Sequence, residues 1–86
     1  GDIILRETGN SGIFARLRVD ANETLLILAN LTGESISDYA LALNAAGLAE
    51  STIGVETLFG EKQARVPERG AKVFRPYEMM VLKFIP

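Results

Sequence analysis

The sequence predicts an all-β protein, a sandwich or barrel of about seven or eight short strands. Three observations carry this. Strict alternation of apolar and polar residues runs through Ile13–Val19, where Ile13, Ala15, Leu17 and Val19 interleave with Phe14, Arg16 and Arg18. Two segments, Thr24–Leu31 and Glu78–Ile85, are apolar on both alternating faces, as expected of strands inside a sheet. Gly, Asn and Pro then punctuate the chain at short, regular intervals.

In chain order, the first strand is expected in Asp2–Glu7 and the second at Ile13–Val19. Asp20-Ala21-Asn22-Glu23 supplies turn chemistry, because Asp and Asn side chains bond their own backbone. Thr24–Leu31 should return as the partner of Ile13–Val19 in a hairpin. Leu31-Thr32-Gly33-Glu34-Ser35 is a second turn. Beyond it, Ile36–Leu43 reads as a strand, with Tyr39, Leu41 and Leu43 on one face. A helix over Asp38–Glu50 competes, since Ser35 or Ser37 would cap it, although Asn44 and Gly47 interrupt the run. Residues 44–52 read as a loop. Ile53–Phe59 and a short Gln63–Val66 are expected to pair across Gly60-Glu61-Lys62. Lys72–Phe74 is a further short strand, stopped by Pro76, which cannot join a ladder. Glu78–Ile85 closes the fold, with Met80, Leu82 and Phe84 on one side and Met79, Val81 and Ile85 on the other.

Composition narrows the chemistry. The chain of 86 residues is long enough for one modest core and is expected to form one domain. It has no cysteine and no histidine, so thiolate catalysis is excluded, as are the commonest general base and the commonest metal ligand. With net charge -2 and no dense basic stretch, it lacks the phosphate-neutralising stripe that nucleic-acid binding needs. The longest apolar run, Leu25–Ala29, falls well below a membrane span of roughly 20 residues. The first residues carry no basic leader, and no initiator methionine precedes them. A segment of a longer polypeptide is expected to begin this way. Lack of cysteine suits the cytoplasm without establishing the compartment.

Carboxylates are the remaining catalytic candidates. Asp20 with Glu23, and Glu34 with Asp38, are local pairs at turns, where acidic residues are ordinarily only solvated. Asp20, Asn22 and Glu23 have calcium-ligand chemistry but lack the spacing and glycine of a calcium loop. No catalytic residue, metal site or cofactor is therefore expected. Two sequons occur, at Asn22 and Asn30; Asn30 is expected to end a strand and bond backbone in the turn instead.

Four stretches together resemble the C-terminal domain of the α-amylase family of glycoside hydrolases (family thirteen). Gly1-Asp2-Ile3-Ile4-Leu5-Arg6-Glu7 is similar to its first strand, and Leu25-Leu26-Ile27-Leu28-Ala29-Asn30-Leu31-Thr32 to an aliphatic strand ending in Asn. Glu56-Thr57-Leu58-Phe59-Gly60-Glu61 resembles its middle strand, and Pro76-Tyr77-Glu78-Met79-Met80-Val81-Leu82-Lys83-Phe84 its closing strand. The resemblance spans essentially the whole chain; Glu78 stands where the family commonly has a small residue. It implies an antiparallel β-sandwich with Greek-key connections, packed against a catalytic (β/α)-barrel that cleaves or transfers α-glucosidic bonds. None of the barrel's catalytic motifs occurs here.

Two candidate surfaces follow. Phe14, Leu26, Leu28, Met79 and Val81 exceed what one sandwich core requires and are expected to form a docking face for the barrel. In the isolated domain the same face would favour self-association. Tyr39 and Tyr77 are the candidate contacts for an α-glucan, because sugar rings stack on aromatic faces; the competing expectation is a half-buried ring whose hydroxyl finds a partner.

Overall fold

The computed structural model describes residues 2–4, 8–20, 23–41, 54–63, 65–67, 69, 70 and 72–85. Five strands make one antiparallel sheet: β1 (Asp2–Ile4), β2 (Ile13–Val19), β3 (Thr24–Asn30), β4 (Gly54–Phe59) and β5 (Met79–Ile85). Their order across the sheet is β1-β2-β3-β5-β4, so β5 lies between β3 and β4. No helix occurs among the described residues.

Alternation in the sequence becomes two faces in space. Ile13, Ala15 and Leu17 of β2 are buried, with Phe14 and Arg16 between them half-buried. β2 and β3 pair in full register from Ile13↔Asn30 to Val19↔Thr24, and Asp20 N–H closes the turn onto Glu23 O at 2.9 Å. Val19 ends the strand exposed, beyond the cover that buries its fellows. Leu26 and Leu28 pair with Leu17 and Ala15 on one side and with Leu82 and Met80 on the other. That row of buried aliphatics is the centre of the core, and Phe84 packs at its margin.

A second layer closes this core, and the described part of it is irregular chain. Ile36, Tyr39 and Leu41 come from the segment after β3, Val66 from the segment after β4, and Phe74 from the approach to β5. Ile36 and Phe74 exchange two backbone hydrogen bonds of 2.9 Å as an isolated bridge. Ala40 N–H reaches Thr8 O at 2.7 Å. The expected strand at Ile36–Leu43 is thus reduced to one bridge over its described part. The competing helix is absent from 38–41, and residues 42–50 lie outside the described residues. The expected pairing of Ile53–Phe59 with Gln63–Val66 does not form among the described residues, which exclude Ile53 and Ala64. β4 pairs with β5, and Gln63 N–H is held by the Thr57 hydroxyl at 2.8 Å.

Two local devices set the corners. Asn30 is buried at the end of β3, where its amide nitrogen donates to Glu34 O (2.6 Å), Arg75 O (3.0 Å) and Phe74 O (3.2 Å). Its Oδ1 accepts from the Thr32 N–H at 2.9 Å and the Thr32 hydroxyl at 2.8 Å. Residues 75–78 form a β-turn closed by Glu78 N–H on Arg75 O at 3.0 Å. Pro76 occupies its second position and Tyr77, with φ of 57°, its third. That is the type II pattern, which requires positive φ at the third residue and favours glycine there.

Candidate docking face

Cross-strand register shows which side chains share the open face, because paired residues point the same way. One row runs Phe14, Ala29, Met79; the next runs Arg16, Ile27, Val81, Phe59; the third runs Arg18, Leu25, Lys83, Glu56. The bulge between Thr57 and Phe59 brings Phe59 opposite Val81. Gly60 makes this turn possible: its φ is 94°, and a Cβ there would lie 2.8 Å from Met79 O.

The face is graded. At the Asn30 end of β3 it is apolar, with Phe59 56% and Met79 46% exposed, and Leu31 also exposed just beyond. Phe14, Ile27, Ala29 and Val81 fill the surface between them, each half-buried. Toward the β2–β3 turn it becomes charged. There Arg18 Nε lies 3.4 Å from Asp20, and Lys83 Nζ 3.8 Å from Glu23.

Three of the five residues expected on the docking face, Phe14, Met79 and Val81, lie on this surface. Leu26 and Leu28 do not: both are fully buried on the opposite face. The alternating pleat sends the even-numbered residues of β3 into the core and leaves Leu25, Ile27 and Ala29 on the open side. No alternation in the sequence marks Phe59 as a face residue, because the bulge shifts its register onto the open side.

The two tyrosines separate sharply. Tyr39 is 5% exposed and offers no face to a sugar. Its hydroxyl donates to Lys72 O at 2.9 Å and accepts from Lys72 N–H at 3.3 Å. Its ring meets Phe74 edge-on, with centroids 5.2 Å apart. Burial pushes its hydroxyl pKa up, partly offset by the backbone bond and the charge of Lys72. Tyr77 is 73% exposed, its N–H tied to Thr32 O at 3.0 Å and its ring lying over Gly33.

A buried ion pair lies beneath that turn. Lys72 Nζ sits 2.8 Å from Glu78 Oε2, 3.4 Å from Glu61 Oε2 and 5.5 Å from the centre of the Phe74 ring. The other Glu78 oxygen accepts Arg75 N–H at 2.8 Å and faces Arg75 Nε at 3.5 Å. Burial pushes the Glu78 carboxyl up, but Lys72, the Arg75 N–H and the Arg75 charge outweigh it, leaving the carboxyl below its ordinary 4.5. Glu78 is therefore the counter-ion of a buried lysine. Of the carboxylates weighed for catalysis, Asp20 and Glu23 are paired with cations at the charged end of the open face. Glu34 and Asp38 stand exposed on the crossover after β3. The Asn30 sequon is closed to modification in the fold, because the side-chain nitrogen is buried and bonded; Asn22 lies outside the described residues.

One sheet face is sealed by its own chain, and the other offers an apolar patch that Arg16 borders on β2, with a charged margin toward the β2–β3 turn. No protein-family model matches the chain, and neither does any curated protein sequence.

Proposed function

We propose that this chain is a non-catalytic accessory domain whose open sheet face docks on a larger catalytic body. In the reading the resemblance favours, that body is the (β/α)-barrel of an α-glucan-active glycoside hydrolase, and the accessory domain is a β-sandwich with Greek-key connections. The insertion of β5 between β3 and β4 suits such connections. The observation that carries the proposal is the apolar end of the open face, where Phe14, Phe59, Met79 and Val81 stand together on a sheet whose other face is already covered. Its role would be thermodynamic. Apolar area covered on both bodies stabilises by roughly 25 cal/mol per Å² before the costs of association.

A second reading, α-glucan binding, is favoured by Tyr77 alone: an exposed ring held on a strained backbone. One pair of titrations separates the two. The isotope-labelled chain is mixed first with the catalytic barrel of an α-glucan hydrolase stripped of its own C-terminal domain, then with maltoheptaose. Docking predicts broadening or shifts at Phe14, Phe59, Met79 and Val81 with the barrel and none with the sugar at millimolar concentration. Saturable sugar shifts around Tyr77, with the open face silent toward the barrel, would replace docking by glucan binding.

A further inference from the structure

Met79 and Met80 are adjacent in sequence and opposite in environment. β5 alternates faces, so Met80 points into the core opposite Leu28 and is fully buried, whereas Met79 lies opposite Ala29 on the open face. The chain has no cysteine, and these are its two methionines. All of its oxidisable sulfur therefore sits at these two adjacent positions, one accessible and one sealed.

We propose that Met79 is an oxidation site that sets how apolar the docking face is. The chemistry stands on the geometry of β5; its consequence for docking rests on the function proposed above. With an oxidant of the peroxide class, a lone pair on the Met79 sulfur attacks one peroxide oxygen. An S–O bond forms and the O–O bond breaks, and the departing hydroxide takes up the proton released by the new S–OH group, leaving sulfoxide and water. The sulfur is oxidised by two electrons and the peroxide is reduced. The product sulfoxide is polar, and it stands in the row with Phe14 and Ala29, beside Val81 and Phe59. A flexible apolar side chain becomes a hydrogen-bonding one in the middle of the patch. The added oxygen has solvent to enter, so the fold tolerates it. Met80 has no such space and is reached only through unfolding. Thiol-dependent reduction of methionine sulfoxide is the class of reaction that restores the surface.

The folded chain is treated with hydrogen peroxide and oxygen uptake is followed by mass spectrometry, with fragmentation between the two residues. Met79 is expected to oxidise at least about tenfold faster than Met80, as its accessibility requires. Met79→Leu should abolish the fast uptake and Met80→Leu should leave it. The singly oxidised chain should elute earlier from a phenyl column, with its melting transition little changed. Equal rates, or unchanged retention, overturn the proposal. A further arm mixes the oxidised and untreated chains with the catalytic barrel described above. Equal binding of both forms overturns the switch and leaves docking standing. If neither form binds, docking itself fails, while the oxidation site is still decided by mapping and retention.

Discussion

Asn30 shows how one side chain can do the work of a missing strand. The segments around Glu34 and around Phe74 and Arg75 present backbone carbonyls to the end of β3 without a ladder to receive them. The Asn30 amide serves all three, while its oxygen orders the turn through Thr32. An Asn ending an aliphatic strand before a turn is visible in sequence, and its backbone-bonding role follows from residue type. That its partners include residues 44 and 45 positions away is not visible, because only the crossover of the second layer brings them there. Asn30→Ala leaves the Thr32 N–H without its acceptor and takes one of two donors from each of the Glu34, Phe74 and Arg75 carbonyls; a polar group left unpaired costs about 1–3 kcal/mol. A loss on the order of 3 kcal/mol is expected in urea denaturation. Tyr39→Phe leaves the Lys72 N–H and C=O without the hydroxyl that serves both and should cost about 2 kcal/mol. If Tyr39→Phe cost as much as Asn30→Ala, the hydroxyl would have to be organising the second layer, and the assignment of that role to Asn30 would fail. Tyr77 offers the opposite case. Its positive φ is a strain of about 1–3 kcal/mol for a non-glycine residue, so Tyr77→Gly should hold or raise the melting temperature, since the ring it removes is mostly solvated.

The segment 72–78 is an element held by charge and turn geometry. Lys72 and Glu78 close it on themselves, Phe74 docks it against Ile36, and Tyr39 clasps the Lys72 backbone. Sequence reasoning placed a short strand at Lys72–Phe74 and a stop at Pro76, and the bridge at Phe74 is what remains of that strand. Nothing in the sequence around Glu78 signals its role as a counter-ion. Its partner lies six residues back across a turn, and no periodicity marks such a pair. The Glu78 carboxyl is lowered on folding, so its contribution is fully present above the unfolded value near 4.5 and is lost as pH falls through the folded value. Stability should therefore drop on acidification below that range. Glu78→Gln leaves Lys72 buried with, among the described residues, the exposed Glu61 as counter-charge, and should cost about 3 kcal/mol at neutral pH. Its urea midpoint should also vary less between pH 6 and about 3 than that of the parent. Equal acid sensitivity in both proteins would move the linkage to other carboxylates.

At the scale of the whole molecule, the fold is one sheet with a sealed face and an open one. Local alternation made β2 legible to the residue, and apolar runs bounded by turn residues made β3 and β5 legible to within one. Sequence pattern could not show that the described part of the second layer is irregular. Ile36, Tyr39 and Phe74 are apolar at spacings equally suited to short strands, and what prevents a ladder is the path of the chain over the sheet. Nor could it divide the surplus of apolar residues between faces, because β3 and β5 are apolar on both. Register divides them, and that division is testable by paired truncations. Leu28→Ala empties a site surrounded by Ala15 and Met80 in the centre of the core, and a cost of about 2–5 kcal/mol is expected. Met79→Ala, one strand over on the open face, removes contacts already shared with water and should cost less than about 1 kcal/mol. Phe59→Lys should likewise leave folding nearly intact while abolishing association with a catalytic barrel, because it sets a charge in the apolar end of the patch. Chemical denaturation of the three variants reads the first two directly, and the barrel titration reads the third. Comparable losses for Leu28→Ala and Met79→Ala would mean that the open face is covered by the chain itself. The surface would then have no docking to do.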